Sequence, residues 1–149
     1  MRYITALAIL LLSGCASTSN VPPTGTQFTL DGCTPFLNCV STSSTVSYYA
    51  IEPIRLVEPL SESTWAIIKA EALELPGASL NAARYGYADI TCYSDTFGFP
   101  DYLEVLIDAD KQRLNVRSQS LLGFYDMGVN RRRVELLRNQ LVERGIAVD

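Results

Sequence analysis

The chain has 149 residues, a formal net charge of −4 and no histidine. An acidic balance argues against general nucleic-acid binding, which needs net basic surface to neutralise phosphate. The lack of histidine excludes Ser-His-Asp and Cys-His catalytic arrangements, histidine-containing zinc sites and the usual neutral-pH general base. No cofactor and no metal site are expected, and the expectation of catalysis falls.

The N-terminus reads MRYITALAILLLSGCASTSN. Its apolar run, ITALAILLL, is too short to span a bilayer as a mature helix. Ser13 and Gly14 are small, as a signal peptidase requires, and Cys15 follows directly. The stretch 12-LSGC-15 resembles a bacterial lipoprotein lipobox, which implies lipidation of Cys15 and multiple acyl chains for stable attachment. Ala16, rather than Asp, after the cysteine favours the outer membrane. Residues 1–14 therefore read as a signal peptide, and 15–30 as the lipidated cysteine and a flexible tether. The tether is rich in Ser, Thr, Pro and Gly and carries no charge before Asp31. Residues 31–149 read as one domain. Loss of Arg2 with the signal takes the formal charge from −4 to −5.

Three cysteines follow the lipobox. An exported location permits disulfides. A Cys33–Cys39 bridge is the preferred pairing, and Cys39–Cys92 is its rival. No base stands near Cys92 in sequence to activate it as a nucleophile.

Residues 45–57, TVSYYAIEPIRLV, read as a strand broken near Pro53. Ser61 or Ser63 caps a helix over about 61–75, in which Trp65, Ile68, Ala72 and Leu75 form one apolar stripe. Trp65 is expected to anchor the core. Pro76-Gly77 ends that helix. Two short strands meet at Gly86. The clearest hairpin pairs 102–107 with 112–118. A four-residue turn at 108–111 would set Ile107 opposite Gln112, Val105 opposite Leu114 and Leu103 opposite Val116. Tyr102, Glu104 and Leu106 would then face Arg117, Asn115 and Arg113 on the polar side. Residues 119–129 read as a loop. A last helix over about 131–144, capped by Asn130, buries Val134, Leu137 and Leu141 and stops at Gly145. The order β-α-β-β-β-β-α predicts an α+β fold, with two helices on one face of an antiparallel sheet of about 4–5 strands.

The stretches 38-NCVST-42 and 117-RSQSLLGFYDMGVNRRRVELLR-138 resemble the domain-of-unknown-function family 1499. Cys33, Asn38, Cys39, Val40 and Ser41 fit its N-terminal motif. Val116, Arg117, Ser118, Ser120, Gly123 and Asp126 fit its C-terminal motif, as do Gly128, Asn130, Arg131 and Arg133. The stretch 97-FGFPDYLEVLID-108 is similar to the segment between them. Leu121 departs from the family's basic residue. The resemblance implies frequent export or lipid anchoring and no established reaction.

Arg117, Tyr125, Asp126, Asn130, Arg131 and Arg133 form the densest polar constellation. One reading is packing and capping, with Asp126 clamping an arginine or satisfying helix N–H groups. The other is a site for an anionic or lipid-like ligand at a helix N-terminus. Successive helical residues lie about 100° apart, so Arg131, Arg132 and Arg133 cannot share one face. Asp101, Glu104 and Asp126 are the available carboxylates, and nothing in their spacing shows them converging. The expected role is a non-catalytic binding module on the bacterial cell envelope. It would face the periplasm and contact the membrane through its anchor, with a lipid, an anionic ligand or an envelope protein as partner, and no nucleic acid. The alternative is a histidine-free, metal-independent enzyme. A pocket lined by Arg117, Tyr125 and the arginine triplet would favour ligand binding. Converging carboxylates would favour catalysis, and a bare apolar patch a protein partner.

Overall fold

The computed structural model describes residues 30–33 and 35–149. The expected signal peptide, the expected lipidation site Cys15 and the expected tether up to residue 29 lie outside the described residues. The elements are β1 (Cys39–Ser41), β2 (Ile54–Leu56), α1 (Glu62–Leu73), β3 (Ala78–Arg84) and β4 (Tyr87–Tyr93), then β5 (Pro100–Ile107), β6 (Arg113–Ser120), α2 (Val129–Glu143) and β7 (Ala147–Val148). The fold is α+β. Its seven strands form one sheet in the order β3-β4-β5-β6-β2-β7, with β1 on the same edge of β6 as β2. Every named strand pair is antiparallel.

Both helices pack on one face. Trp65, Ile68, Ala72 and Leu75 from the α1 segment meet Val134, Leu137 and Leu141 of α2 and the inward residues of the sheet in one core. Ser61 is the α1 N-cap, and its hydroxyl accepts the Thr64 N–H at 3.1 Å. On β5 and β6, Leu103, Val105, Leu114 and Val116 point into the core as their alternation requires.

The β5–β6 register differs from the expected one by two residues. Ile107 faces Leu114, Val105 faces Val116 and Leu103 faces Ser118. The four-residue loop lies one residue later, at 109–112: the Asp108 N–H donates to the Arg113 carbonyl at 2.9 Å, and the Asp108 carboxylate accepts the backbone N–H groups of Gln112 and Arg113, each at 3.2 Å. A shift of two keeps every side chain on its own face, so the core is unchanged.

The expected strand over 45–57 shrinks to Ile54–Leu56. Residues 46–50 instead form a turn closed by Tyr49 and Ala50 N–H groups on the Val46 carbonyl, both at 2.9 Å. The very short β1 and β7 carry no legible alternation. They seat on β6 and β2 through tertiary contacts.

Gly77 is held at φ +68°, and a Cβ there would lie 2.1 Å from the Tyr93 carbonyl oxygen. Both the left-handed backbone and the close approach demand glycine. Gly77→Ala is expected to cost about 2–4 kcal/mol of unfolding free energy, as strain adds to displacement of β4. Urea denaturation checks this; a change within 0.5 kcal/mol, the usual range for a surface substitution, would refute it.

Candidate functional site

The start of α2 carries the sequence constellation, and its geometry differs from simple capping by Asn130. The N-cap is Gly128, at φ 77°, and no side chain of its own caps the helix. Asn130 is the second residue of α2 and is fully buried. The capping carboxylate is Asp126. Its Oδ1 accepts the Gly128 N–H at 2.8 Å, and its Oδ2 accepts the Asn130 N–H at 3.0 Å. A carboxylate there satisfies otherwise orphaned N–H groups and complements the helix dipole.

The Asn130 side chain bonds in several directions. Its Nδ2 lies 2.8 Å from Asp126 Oδ2, 2.9 Å from Ser120 Oγ and 3.0 Å from the Asn38 carbonyl. Its Oδ1 accepts from Ser118 Oγ at 2.7 Å and from Arg133 at 2.6 Å. Asn38, also buried, donates its amide to the Ser120 and Gly123 carbonyls at 3.2 and 2.7 Å. One network thus ties β1, the end of β6, the loop 121–128 and α2 together.

The three arginines diverge, as the helical rotation requires. Arg131 donates to the carbonyls of Tyr48 and Ala50, both at 2.9 Å, and so caps the 46–50 turn. Arg132 returns to the Met127 carbonyl at 2.8 Å. Arg133 reaches across the core face to Asp101 at 2.6 Å, with both side chains about nine-tenths buried. Asp101 is the partner that sequence spacing did not reveal; β5 brings it beside β6 and under α2.

Arg117 does not join this cluster. It points from the opposite face of β6, where it bonds Glu104 at 3.3 Å and Gln119. Tyr125 is exposed beside Asp126, Tyr48 and Arg131, and these four line a cleft of about 390 Å³. Desolvation raises the Tyr48 hydroxyl above its ordinary pKa, and Tyr125 and Asp126 add to the shift. The cleft therefore gathers Tyr125, Asp126 and Arg131. It does not collect Arg117, Asn130 or Arg133 along its wall.

A disulfide joins Cys33 to Cys39, and Cys92 is free and buried. Burial pushes the Cys92 thiol pKa up, with Arg133 opposing and Asp101 adding. A thiol so placed is a poor nucleophile. Among the described residues no group of His, Cys, Asp or Glu side chains could hold a metal ion.

One carboxylate pair does meet. Asp89 and Glu104 are direct cross-strand partners on the sheet face away from the helices. Glu104 accepts from the Tyr87 hydroxyl at 3.0 Å and from Arg117, and Asp89 accepts from Asn81 at 3.3 Å. Burial is the main cause that holds the Asp89 pKa above the usual range, and Glu104 adds to it against the Asn81 bond. A raised folded-state pKa favours folding below the ordinary Asp pKa, and that contribution is lost as pH rises through the folded value. Asp89→Asn is therefore expected to gain stability relative to wild type near neutral pH, with the difference vanishing in acid. Thermal unfolding of both proteins across that range tests this; a pH-independent difference would contradict it.

The largest feature absent from the sequence reading is apolar. Leu121, Leu122, Phe124 and Met127 are exposed in the loop before α2, beside Phe36 and Leu37 of the disulfide loop. Phe36 and Phe124 meet edge to face, with centroids 5.0 Å apart. Their sequence signal is a run of large apolar residues without strand or helix period, interrupted by glycine. No curated protein and no solved structure matches this chain. A family model described as a protein of unknown function (DUF1499) matches residues 29–141. The match spans β1 to most of α2, including every residue of the polar network, and the chain belongs to that family.

Proposed function

We propose that this chain is a lipid-anchored protein of the bacterial cell envelope with a non-catalytic binding role. Its anchor is Cys15, and it faces the periplasm from the outer membrane. The lipobox-like LSGC supports the anchor, and Ala16 supports the choice of membrane. No helix among the described residues is long and apolar enough to cross a membrane.

The observation that carries the binding role is an ordered apolar surface. Loop 121–128 is fixed by bonds through Asn38, Asp126 and Asn130, yet its large side chains remain exposed. Exposed apolar residues on a rigid frame mark a contact surface. The Tyr48–Tyr125–Arg131 cleft at its edge suits the polar end of an amphiphile. Arg131 and Arg133 already have protein acceptors, so the arginine cluster chiefly positions the loops. A histidine-free enzyme is the second reading, and the Asp89–Glu104 pair favours it. Tyr87, Arg117 and Asn81 occupy those carboxylates, which fits a structural network better than a vacant site.

The anchor is tested by the intact mass of protein extracted from membranes. A chain starting at Cys15 and carrying acyl groups is expected, and an unmodified N-terminus rules the anchor out. Extracts of the same membranes, assayed for copurifying lipids and proteins, test the binding role. Recovery of the purified chain with neither would count against it.

A further inference from the structure

Three loops meet at one end of the sheet. The Leu121 N–H donates to the Pro100 carbonyl at 3.1 Å, and the Leu37 N–H donates to the Phe124 carbonyl at 2.8 Å. Segments 35–38, 94–99 and 121–128 are therefore neighbours. Phe97 and Phe124 are each 73% exposed and project outward, and Met127, 71% exposed, borders the Tyr48–Tyr125–Arg131 cleft. Phe97 and Phe99 stack at 5.4 Å on the β4–β5 loop. The opposite end of β5 and β6 has contrary chemistry. There Asp108 and Asp110 pair with the exposed Arg113.

Part of the backbone of the apolar end is bonded internally, which holds these loops in place. The Ser94 N–H donates to Phe99, the Gly98 N–H to Ser94, and the Asp126 N–H to Leu37. The Gly123 and Met127 carbonyls accept from Asn38 and Arg132. A bilayer accepts any outward array of Phe, Leu and Met, whereas a protein must present a matching cavity.

We propose that this end, bearing Phe36, Phe97, Phe99, Leu122, Phe124 and Met127, inserts into the headgroup–acyl boundary of the membrane that holds the chain's anchor. The proposal rests on the lipid-anchored reading above. Fourteen residues lie between Cys15 and Leu30, the first described residue. That length reaches at most roughly 50 Å at full extension. The domain is thus held close to the bilayer, where a second contact acts at high effective concentration. Arg132 lies exposed at the edge of this end; one N–H donates to the Met127 carbonyl, and its other donors are placed to meet lipid phosphate.

Brominated-lipid quenching of tryptophan fluorescence tests the insertion. The full chain is purified from bacterial membranes and reconstituted in phosphatidylethanolamine–phosphatidylglycerol vesicles with bromine near the glycerol. Trp65 is buried in the core and serves as the internal reference. Phe124→Trp and Asp110→Trp report the two ends of the sheet. At least about half of the emission added at position 124 is expected to be lost, with no loss at position 110. Wild-type protein that floats with vesicles while position 124 stays unquenched overturns the proposal and leaves the anchor intact. A second copy or a protein covering that end would give this same result. Quenching at position 124 in the Cys15→Ala background supports the insertion even where the anchor reading fails. Absence of both flotation and quenching overturns both.

Discussion

Arg133→Met is expected to lower unfolding free energy by about 3–5 kcal/mol, because it leaves Asp101 buried without its countercharge. The pair lies 2.6 Å apart, with side-chain exposures of 10% and 8%. Desolvation has already been met for both groups, so removing one exposes the full cost of the other. Arg133 also donates to Ser118 Oγ at 3.0 Å and to Asn130 Oδ1 at 2.6 Å, and those acceptors lose a donor too. The double variant Arg133→Met/Asp101→Asn removes both charges and should recover more than half of the loss. Urea denaturation of the two single variants and the double gives the coupling directly. Additive single effects would show that the two charges act independently, and the arginine would then be available to a ligand.

Asn130→Ala is expected to cost a similar amount, about 3–4 kcal/mol, through a different route. The substitution strips partners from Ser118, Ser120, Asp126 and the Asn38 carbonyl, and each buried group left unpaired costs about 1–3 kcal/mol. Its local effect separates it from Arg133→Met. Asn130 and Asp126 together fix the loop 121–128 against α2, so its loss should free that loop before the domain unfolds. Limited proteolysis under native conditions is expected to cut Asn130→Ala between Leu121 and Met127 several times faster than wild type. An unchanged cleavage rate there would show that the loop is ordered by its apolar contacts alone. Asn130 touches Arg133, so the two losses will not add.

Much of this fold was legible in the sequence where one period governed one element. The α1 stripe of Trp65, Ile68 and Ala72 and the α2 stripe of Val134, Leu137 and Leu141 are buried as their spacing requires. The β5–β6 hairpin kept its facing because alternation fixes parity, while its register moved because Asp108 pairs with Arg113 and the loop starts one residue later. Elements decided by distant partners were not legible. Residues 45–50 have strand composition, but Arg131 draws the Tyr48 and Ala50 carbonyls into a turn cap. Asn130 has cap chemistry, yet Gly128 at positive φ starts the helix and Asp126 supplies the carboxylate. Helical rotation alone says that the arginine triplet cannot share one face, but not where each member goes. Its members go to a turn, a loop carbonyl and a buried aspartate.

Three cations in the first turn oppose the helix dipole. Asp126 and the distant carbonyl and carboxylate acceptors offset that opposition, so the charges of Arg131 and Arg133 are used inside the molecule. The surface left for a partner is the apolar end that the cluster holds in place. Photo-crosslinking in intact membranes tests this claim most directly, with a photoreactive side chain at position 124, at 131 or at 110. Adducts to an envelope component are expected from position 124, few from position 131 and none from position 110. Adducts concentrated at position 131, with none at 124, would contradict it and return the binding role to the arginine cleft.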